Sequence, residues 1–407
     1  VVNTRRPNEF AGRRKAKGDA LTTQDLAPVN VAVTMDQWCT VSFIIDDLEE
    51  TMSMKKLSKE YAEPAAKALA RMVDRTVLGQ YPRFLPNVAG SLNGVTESNI
   101  KGYLIDLRKR MNDQKAYQEG RNLILTSKTE GDCLRPEWFT SADKVGDGGR
   151  ALRTASLGTK LGMNFYNDLN MADVAVGNTS RTFQVNNAAG YLAGTTAITV
   201  DTGTGEILPG SWISLGGIPY QVASRTGTAP TTAIVTTYGL RRAVADNDPI
   251  VVYTPGAVNQ SVATTGYPAG WNKEIVVDGF SVAPQVGQFV TFGTAADRYT
   301  IIEVNGLVGI TLDRSLAAAI ADDALVCIGP AGAYNLCIHR DAITLAIRGL
   351  APVVSGAGAI STTQSMNGMS MRVTISYDPL YQKHRWTLDF LAGIQVLDTN
   401  LGAVLLG

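Results

Sequence analysis

A chain of 407 residues with 45% hydrophobic side chains, and with 37 basic against 37 acidic groups, has room for two or three domains with real cores. It has no overall attraction to nucleic acid. Only 18% of its residues are charged, against roughly 25% in an average soluble protein, and it carries 40 glycines. That balance suits a surface hidden against partners.

The zero net charge is unevenly spread. Residues 177–332 hold seven basic and eleven acidic side chains, so the excess positive charge lies in the flanks. Cys39, Cys133, Cys327 and Cys337 show no CxxC pair and read as buried or free thiols, not a disulfide framework. With only His339 and His384, a histidine metal cluster is excluded. No apolar run reaches the ~18 residues of a transmembrane helix, and no signal peptide is visible. The chain begins at Val1 without an initiator Met, so a removed or unnumbered segment is expected ahead of it. The sequons at Asn178 and Asn259 read as coincidence without a secretory signal.

Residues 1–17 carry Arg5, Arg6, Arg13, Arg14, Lys15 and Lys17 against one Glu9. The alternation of Val29, Val31, Val33 and Met35 then predicts a half-buried strand. Together these read as a long two-stranded arm with a basic tip that lacks the apolar residues to bury itself. Asp46, Asp47, Glu49 and Glu50 open a helical run, where negative charge favours the N-terminus. Leu48, Met52, Leu57, Tyr61, Ala65, Leu69, Val73 and Val77 continue it to about Leu78. Pro64 is expected to bend this helix or to begin a second one.

A second helix is predicted from Glu97 to Gln118 through Ile100, Tyr103, Leu104, Leu107 and Met111. Leu123–Leu125 reads as a short buried strand, residues 136–163 as a mobile Gly-rich stretch, and NFYNDLNM as a strand. A repeat follows. Ile198, Val200, Asp201, Gly210, Trp212, Ile213, Ser214, Leu215 and Gly216 align at a constant offset of 77 with Ile275, Val277, Asp278, Gly287, Phe289, Val290, Thr291, Phe292 and Gly293. Two tandem β-units are therefore expected, with Gly210 matching Gly287 and Trp212 matching Phe289. After them, residues 335–352 read as a strand followed by a helix ending at Gly349, and 369–376 and 386–397 as closing strands.

No chemistry accompanies these elements. His339 sits in Ile-His-Arg-Asp without GxSxG, HExxH or Walker spacing and reads as a satisfied structural histidine. Asp46-Asp47 and Asp322-Asp323 are sequence neighbours, explained by a helix start and a loop. The Gly-rich 145–162 segment lacks a GxGxxG before a helix. No catalytic residue, metal ligand or cofactor site is assigned. The basic arm stays open between a solvated tail, a partner for acidic groups of a neighbouring subunit, and a nucleic-acid contact. With Phe10 as its only aromatic, base stacking is disfavoured.

The order of these segments carries a resemblance. VNTRRP with its loop, EYAEPAAKALARMVD, Asn335–Ala342 and the closing YD…LDFLAG are similar to the major capsid proteins of tailed bacteriophages with the HK97-like fold. The nearest group is the short-tailed phages whose coat protein bears an insertion domain, which the Gly287–Gly293 turn resembles. The resemblance implies an α+β fold with five segments. These are an extended arm and loop (1–45), spine helix with the first part of the peripheral and axial domains (46–176), two β-barrel or β-sandwich insertion units (177–257 and 258–332), and the axial and peripheral return (333–407).

It also implies a non-enzymatic virion protein, assembled in the host bacterial cytoplasm into pentamers and hexamers of an icosahedral shell around double-stranded DNA. Scaffolding, portal or decoration proteins are the further partners it allows; no membrane partner is implied. Two departures stand out: relatives usually carry a further segment before the arm, with its cleavage left open here, and the insertion is duplicated. Arg5, Arg6, Arg13, Arg14, Lys15 and Lys17 are expected to meet acidic groups of an adjacent subunit, with Asp46, Asp47, Glu49 and Glu50 as candidates. The alternatives are a nanocompartment shell of the same fold enclosing a cargo enzyme, and a β-rich adhesin or carbohydrate-binding protein. The contents of purified particles discriminate among the three.

Overall fold

The computed structural model describes the chain apart from residues 6–9, 11, 22, 25–29, 53–56, 142–149, 176–178, 259–265, 281, 307, 355–357 and 367–368. It divides into two compact units: Val1–Ala66 with Ile343–Asp398, and Lys67–Ala342 with Thr399–Gly407.

In the first unit the arm pairs Val2–Arg5 with Asn30–Val33 antiparallel. Val33 is the one buried side chain among its described residues. A separate sheet is built on the 14-residue strand Lys383–Val396, which pairs Gln37–Asp46 on one edge and Met369–Asp378 on the other. Ala359–Met366 extends it beyond Met369–Asp378. Ile343–Arg348 pairs in register with the far end of the long strand, Ile343 opposite Val396 and Arg348 opposite Leu391. This corrects the helix expected there. Ile-Thr-Leu-Ala-Ile-Arg is rich in β-branched side chains that fit a pleated surface, and a ladder partner waits six residues deep. The strand Gln37–Asp46 alternates Cys39, Val41, Phe43 and Ile45 with exposed Thr40 and Ser42, a period-two signal that the sequence reading passed over; Ala359–Met366 carries no such alternation.

A short helix, Asp47–Met52, follows directly on Asp46, and a 22-residue helix runs from Leu57 to Leu78. Pro64 lies inside this helix and begins no new one. It is exposed, so the carbonyl it leaves unbonded one turn back can face water.

The second unit holds a body and two barrels. The body is a mixed sheet in which Gly332–His339 runs between Gly402–Leu406 and Arg121–Leu125, with Met163–Asn167 parallel to the latter. The helix Ile100–Asp113 buries Ile100, Leu104, Leu107 and Met111 against this sheet's core. It is shorter than the 97–118 expected, because Lys115 adopts a φ of 57° just past its end. Within 136–163, described short helices span Glu137–Thr140 and Arg150–Thr154; the mobility expected between them falls outside the described residues. The strand expected through NFYNDLNM stops at Asn167, where Asp168 Oδ1 accepts from Asn170 N at 2.8 Å and turns the chain.

Both repeat units are closed six-stranded antiparallel barrels, Thr179–Tyr253 and Gly256–Ile328. Counted within each barrel, the strands neighbour one another in the same cyclic order: first, second, fifth, fourth, third, sixth. Matched details go beyond topology. Each has a register irregularity between its fourth and fifth strands. The Tyr191 hydroxyl accepts from Thr199 N as Tyr267 accepts from Val276 N. Gly210 and Gly287 share φ values of 92° and 91°, which only glycine adopts without strain. Trp212 and Phe289 are both fully buried.

Candidate assembly surface

The residues proposed for contact between subunits are placed as follows. Arg5 ends the first arm strand and is exposed; Arg6 lies outside the described residues. Arg13, Arg14, Lys15 and Lys17 are exposed along the loop to the tip, where Asp19 N donates to the Ala16 carbonyl at 3.2 Å. None of the described arm cations pairs with a described acid of its own chain.

The acidic candidates differ among themselves. Asp46 lies 3.0 Å from Lys383 Nζ. Asp47 Oδ2 accepts from the Tyr377 hydroxyl at 2.8 Å, and its Oδ1 lies 3.4 Å from His384 Nε2. The bond to Asp47 pushes the Tyr377 hydroxyl up from its ordinary value. Asp46 and Asp47 are thus engaged within the chain, tying the helix start to the Met369–Asp378 and Lys383–Val396 strands. Glu49 is exposed and available; the Glu50 side chain lies outside the described residues.

What sequence reading missed is the sheet beside them. Its outer strands Gln37–Asp46 and Ala359–Met366, like Ile343–Arg348, each pair on one side only among the described residues. Neither Gln37–Asp46 nor Ala359–Met366 contains Lys, Arg or Pro, and their one charge is the terminal Asp46. No described residue from Ala359 to Asp378 is buried. Most of the large exposed hydrophobics of the chain fall in this unit, including Trp38, Ile44, Leu48, Met52, Ile360, Leu380 and Tyr381. Ile360 is 76% and Leu380 79% exposed. The polar face has its own lock: Arg372 makes a two-pronged bond to Asp389, Nε to Oδ1 at 2.9 Å and Nη2 to Oδ2 at 2.5 Å. That bond raises the guanidinium pKa further.

No family model and no curated protein matches this chain. Solved structures similar to it include one of Mycobacterium phage Che8, at 11% identity, TM-score 0.42, covering 99% of this chain and 82% of that one. The capsid structure of the cyanophage P-SCSP1u is similar at 10% identity, TM-score 0.45, covering 100% and 82%. The asymmetric unit of the bacteriophage PhiM1 mature capsid is similar at 8% identity, TM-score 0.40, covering 100% and 81%. A likeness this remote leaves function to be argued from the chain itself.

The other candidates resolve blandly. His339 is buried, its Nδ1 accepts from Asp341 N at 3.3 Å, and its ring lies 5.4 Å from Tyr117. Asn335 Oδ1 accepts from Thr126 N at 2.7 Å, and its Nδ2 donates to Thr129 Oγ1 and to the Leu405 carbonyl. The Asn335–Ala342 motif is therefore a structural knot of the body. All four cysteines are free and buried. Among the described residues no metal-competent cluster occurs, and no helix is long and apolar enough to cross a membrane.

Proposed function

We propose that this chain is the repeating subunit of a closed protein shell, the major capsid protein of a tailed phage with an HK97-like fold and a duplicated insertion. One observation carries the self-assembly: in the Val1–Ala66 and Ile343–Asp398 unit the edges of Gln37–Asp46 and Ala359–Met366 are open among the described residues, with the terminal Asp46 as their one charge, and the Ala359–Asp378 hairpin buries no described residue. Isolated hairpins are marginal in water, and natural monomers blunt such edges with Lys, Pro or a cover. An edge left this way is complete only when another chain lies against it, and a closed assembly of identical copies is the economical way to supply one.

The kind of shell follows from the segment order, which resembles tailed-phage coat proteins, and from the charge partition. The acidic barrels suit the outer surface and the net-positive remainder suits packaged double-stranded DNA. The described arm cations, left without a described acidic partner in their own chain, suit acidic groups of a neighbour, and among the described candidates Glu49 is free to take one.

Sedimentation and electron microscopy of the expressed protein test this directly. Closed megadalton particles are expected; a stable monomer as the only species would sink the reading. Particles holding a cargo enzyme in place of nuclease-protected DNA would turn it toward the nanocompartment. An edge variant gives a sharper arm: Thr363→Lys, on the exposed face of an edge strand, should leave the monomer folded and abolish particles.

A further inference from the structure

The two barrels and the body close a ring of three contacts. In the second barrel Phe289 turns onto the body, its ring 6.1 Å from Tyr81 and 5.7 Å from Tyr334, while the Tyr81 hydroxyl donates to the Gly287 carbonyl at 2.9 Å. The equivalent residue of the first barrel, Trp212, faces the second barrel instead. Its ring lies 4.7 Å from Phe289, and its Nε1 donates to Thr291 Oγ1 at 3.0 Å. Gly210 sits so close to the Gly293 carbonyl that a Cβ there would overlap it. The first barrel then reaches the body through its other side: Leu92 N donates to the Gly217 carbonyl at 2.8 Å, and Ser91 Oγ to the Gly216 carbonyl at 3.3 Å. Equivalent surfaces are thus used head to tail, with the body in the third place.

Arg298 touches all three members. It belongs to the second barrel, and its Nη1 donates to the Pro82 carbonyl of the body at 3.0 Å. Its guanidinium lies 5.5 Å above the Trp212 ring and 5.7 Å from Tyr238, both of the first barrel. The Arg314 Nη2 holds its carbonyl at 2.8 Å. It is 8% exposed, and no described carboxylate pairs with it. Burial pushes its pKa down. A buried cation without a counter-ion is costly, and an apolar side chain of similar length would fill the space. The contacts that offset the cost are aromatic faces and a carbonyl, and these belong to the other two members of the ring.

We infer that Arg298 is a positioning residue that locks the two barrels and the body into one rigid unit, so that the insertion is held in a fixed attitude and not as beads on a string. Each barrel keeps its own closed hydrogen-bond ladder, so loss of the lock should loosen the ring without unfolding its members. Hydrogen exchange on the full chain reads this.

In Arg298→Met, the Leu92 amide and the Trp212 indole N–H should exchange at least about tenfold faster. The barrel-internal amides of Tyr191 and Tyr267, bonded to the Val244 and Ile320 carbonyls, should stay protected. Arg298→Lys, which keeps a cation but not the fork, should fall between. Arg314→Met serves as the control within the same dock: its side chain bonds Asp313 and the Arg298 carbonyl, so the Trp212 indole should remain slow. Unchanged exchange at Leu92 and Trp212 in both Arg298 variants would overturn the proposal. So would loss of protection at Tyr191 and Tyr267 to the same extent as at Leu92, since that would make Arg298 an ordinary stabiliser of barrel folding.

Discussion

The body and barrels bury Trp212, Tyr81, Tyr334, Phe84 and Phe289 to under 2% exposure, whereas the hairpin from Ala359 to Asp378 buries no described residue. The hairpin is rich in Ser, Thr and Met, so the difference lies both in its residues and in where apolar side chains meet. Body and barrels bury them within one chain. The sheet buries Cys39, Ile45, Leu388, Phe390 and Ile394, but its outer strands present others singly, with no neighbour on one side among the described residues. Covering a large aliphatic or aromatic side chain contributes about 1.5–3 kcal/mol. Five such side chains covered by a neighbour would contribute on the order of 10 kcal/mol before the cost of association. On the proposed function, this region is where a folded subunit would keep its driving force for assembly.

The sharpest way to break this contrast is to truncate one side chain on each side of it. Phe289→Ala removes a ring packed on Trp212, Tyr81 and Tyr334 and should cost about 3–5 kcal/mol in urea unfolding. Ile360→Ala should change unassembled stability by no more than about 0.5 kcal/mol, yet lower particle yield. Equal losses at both sites would show that the hairpin has a core of its own.

The next effect lies inside the sheet. Asp389→Ala strands the Arg372 guanidinium, whose side chain is only 18% exposed, and should cost about 1.5–3 kcal/mol, the range for hydrogen bonds to charged groups. Arg372→Met with Asp389→Leu should recover much of it, because neither charge is then left unpaired. Chemical denaturation of the two variants decides this.

Much of the contrast was legible in advance, on one side of it. Periodicity found Ile100, Leu104, Leu107 and Met111 because a helix that buries one face must repeat its apolar residues. The offset of 77 found the barrels because equivalent inward positions keep equivalent residues. The offset holds from Ile198 to Gly216 and shifts outside it: Tyr191 matches Tyr267 at 76, and Tyr220 matches Tyr299 at 79, with loop lengths absorbing the difference. The Ala359–Met366 edge was not legible, since its Ser, Thr and Gln mark no inside or outside. Arg298 was equally silent, because a lone arginine says nothing of the three surfaces that converge on it.

The buried thiols provide a smaller, pH-dependent test. Desolvation pushes Cys39 up to about 11, and Cys133, Cys327 and Cys337 up to about 12, from an ordinary value of 9.0. The folded state therefore holds these protons where the unfolded chain releases them. Their contribution is complete below about pH 9 and is lost as pH rises toward 11–12, by about 1.4 kcal/mol per pH unit per thiol. Stability measured across that window should fall, and Cys337→Ala should make the slope shallower. A slope unchanged by that substitution would mean the Cys337 thiol is not held protonated by burial. Three of these cysteines belong to the body and barrels, so native alkylation at neutral pH should be slow there.

The arm carries the smallest effects per residue. Exposed ion pairs are worth about 0–1 kcal/mol each, so replacing Lys17 or Arg13 alone should leave particle yield unchanged. Replacing Arg5, Arg6, Arg13, Arg14, Lys15 and Lys17 together with Gln would, on the proposed pairing, remove up to six weak contacts from every subunit. The loss then multiplies through the shell. Monomer stability should stay constant, because the described arm cations have no acidic partner in their own chain. Assembly should shift to higher protein concentration, and the parent should approach the variant's behaviour as salt rises, since screening removes the same attraction. Glu49→Gln should give part of the effect if Glu49 is the acceptor, whereas Asp46 and Asp47, already held by Lys383, Tyr377 and His384, should act through helix position and so with little salt dependence. Normal yield from the six-fold variant at low salt would dismiss the pairing and leave the arm to its strand contacts alone.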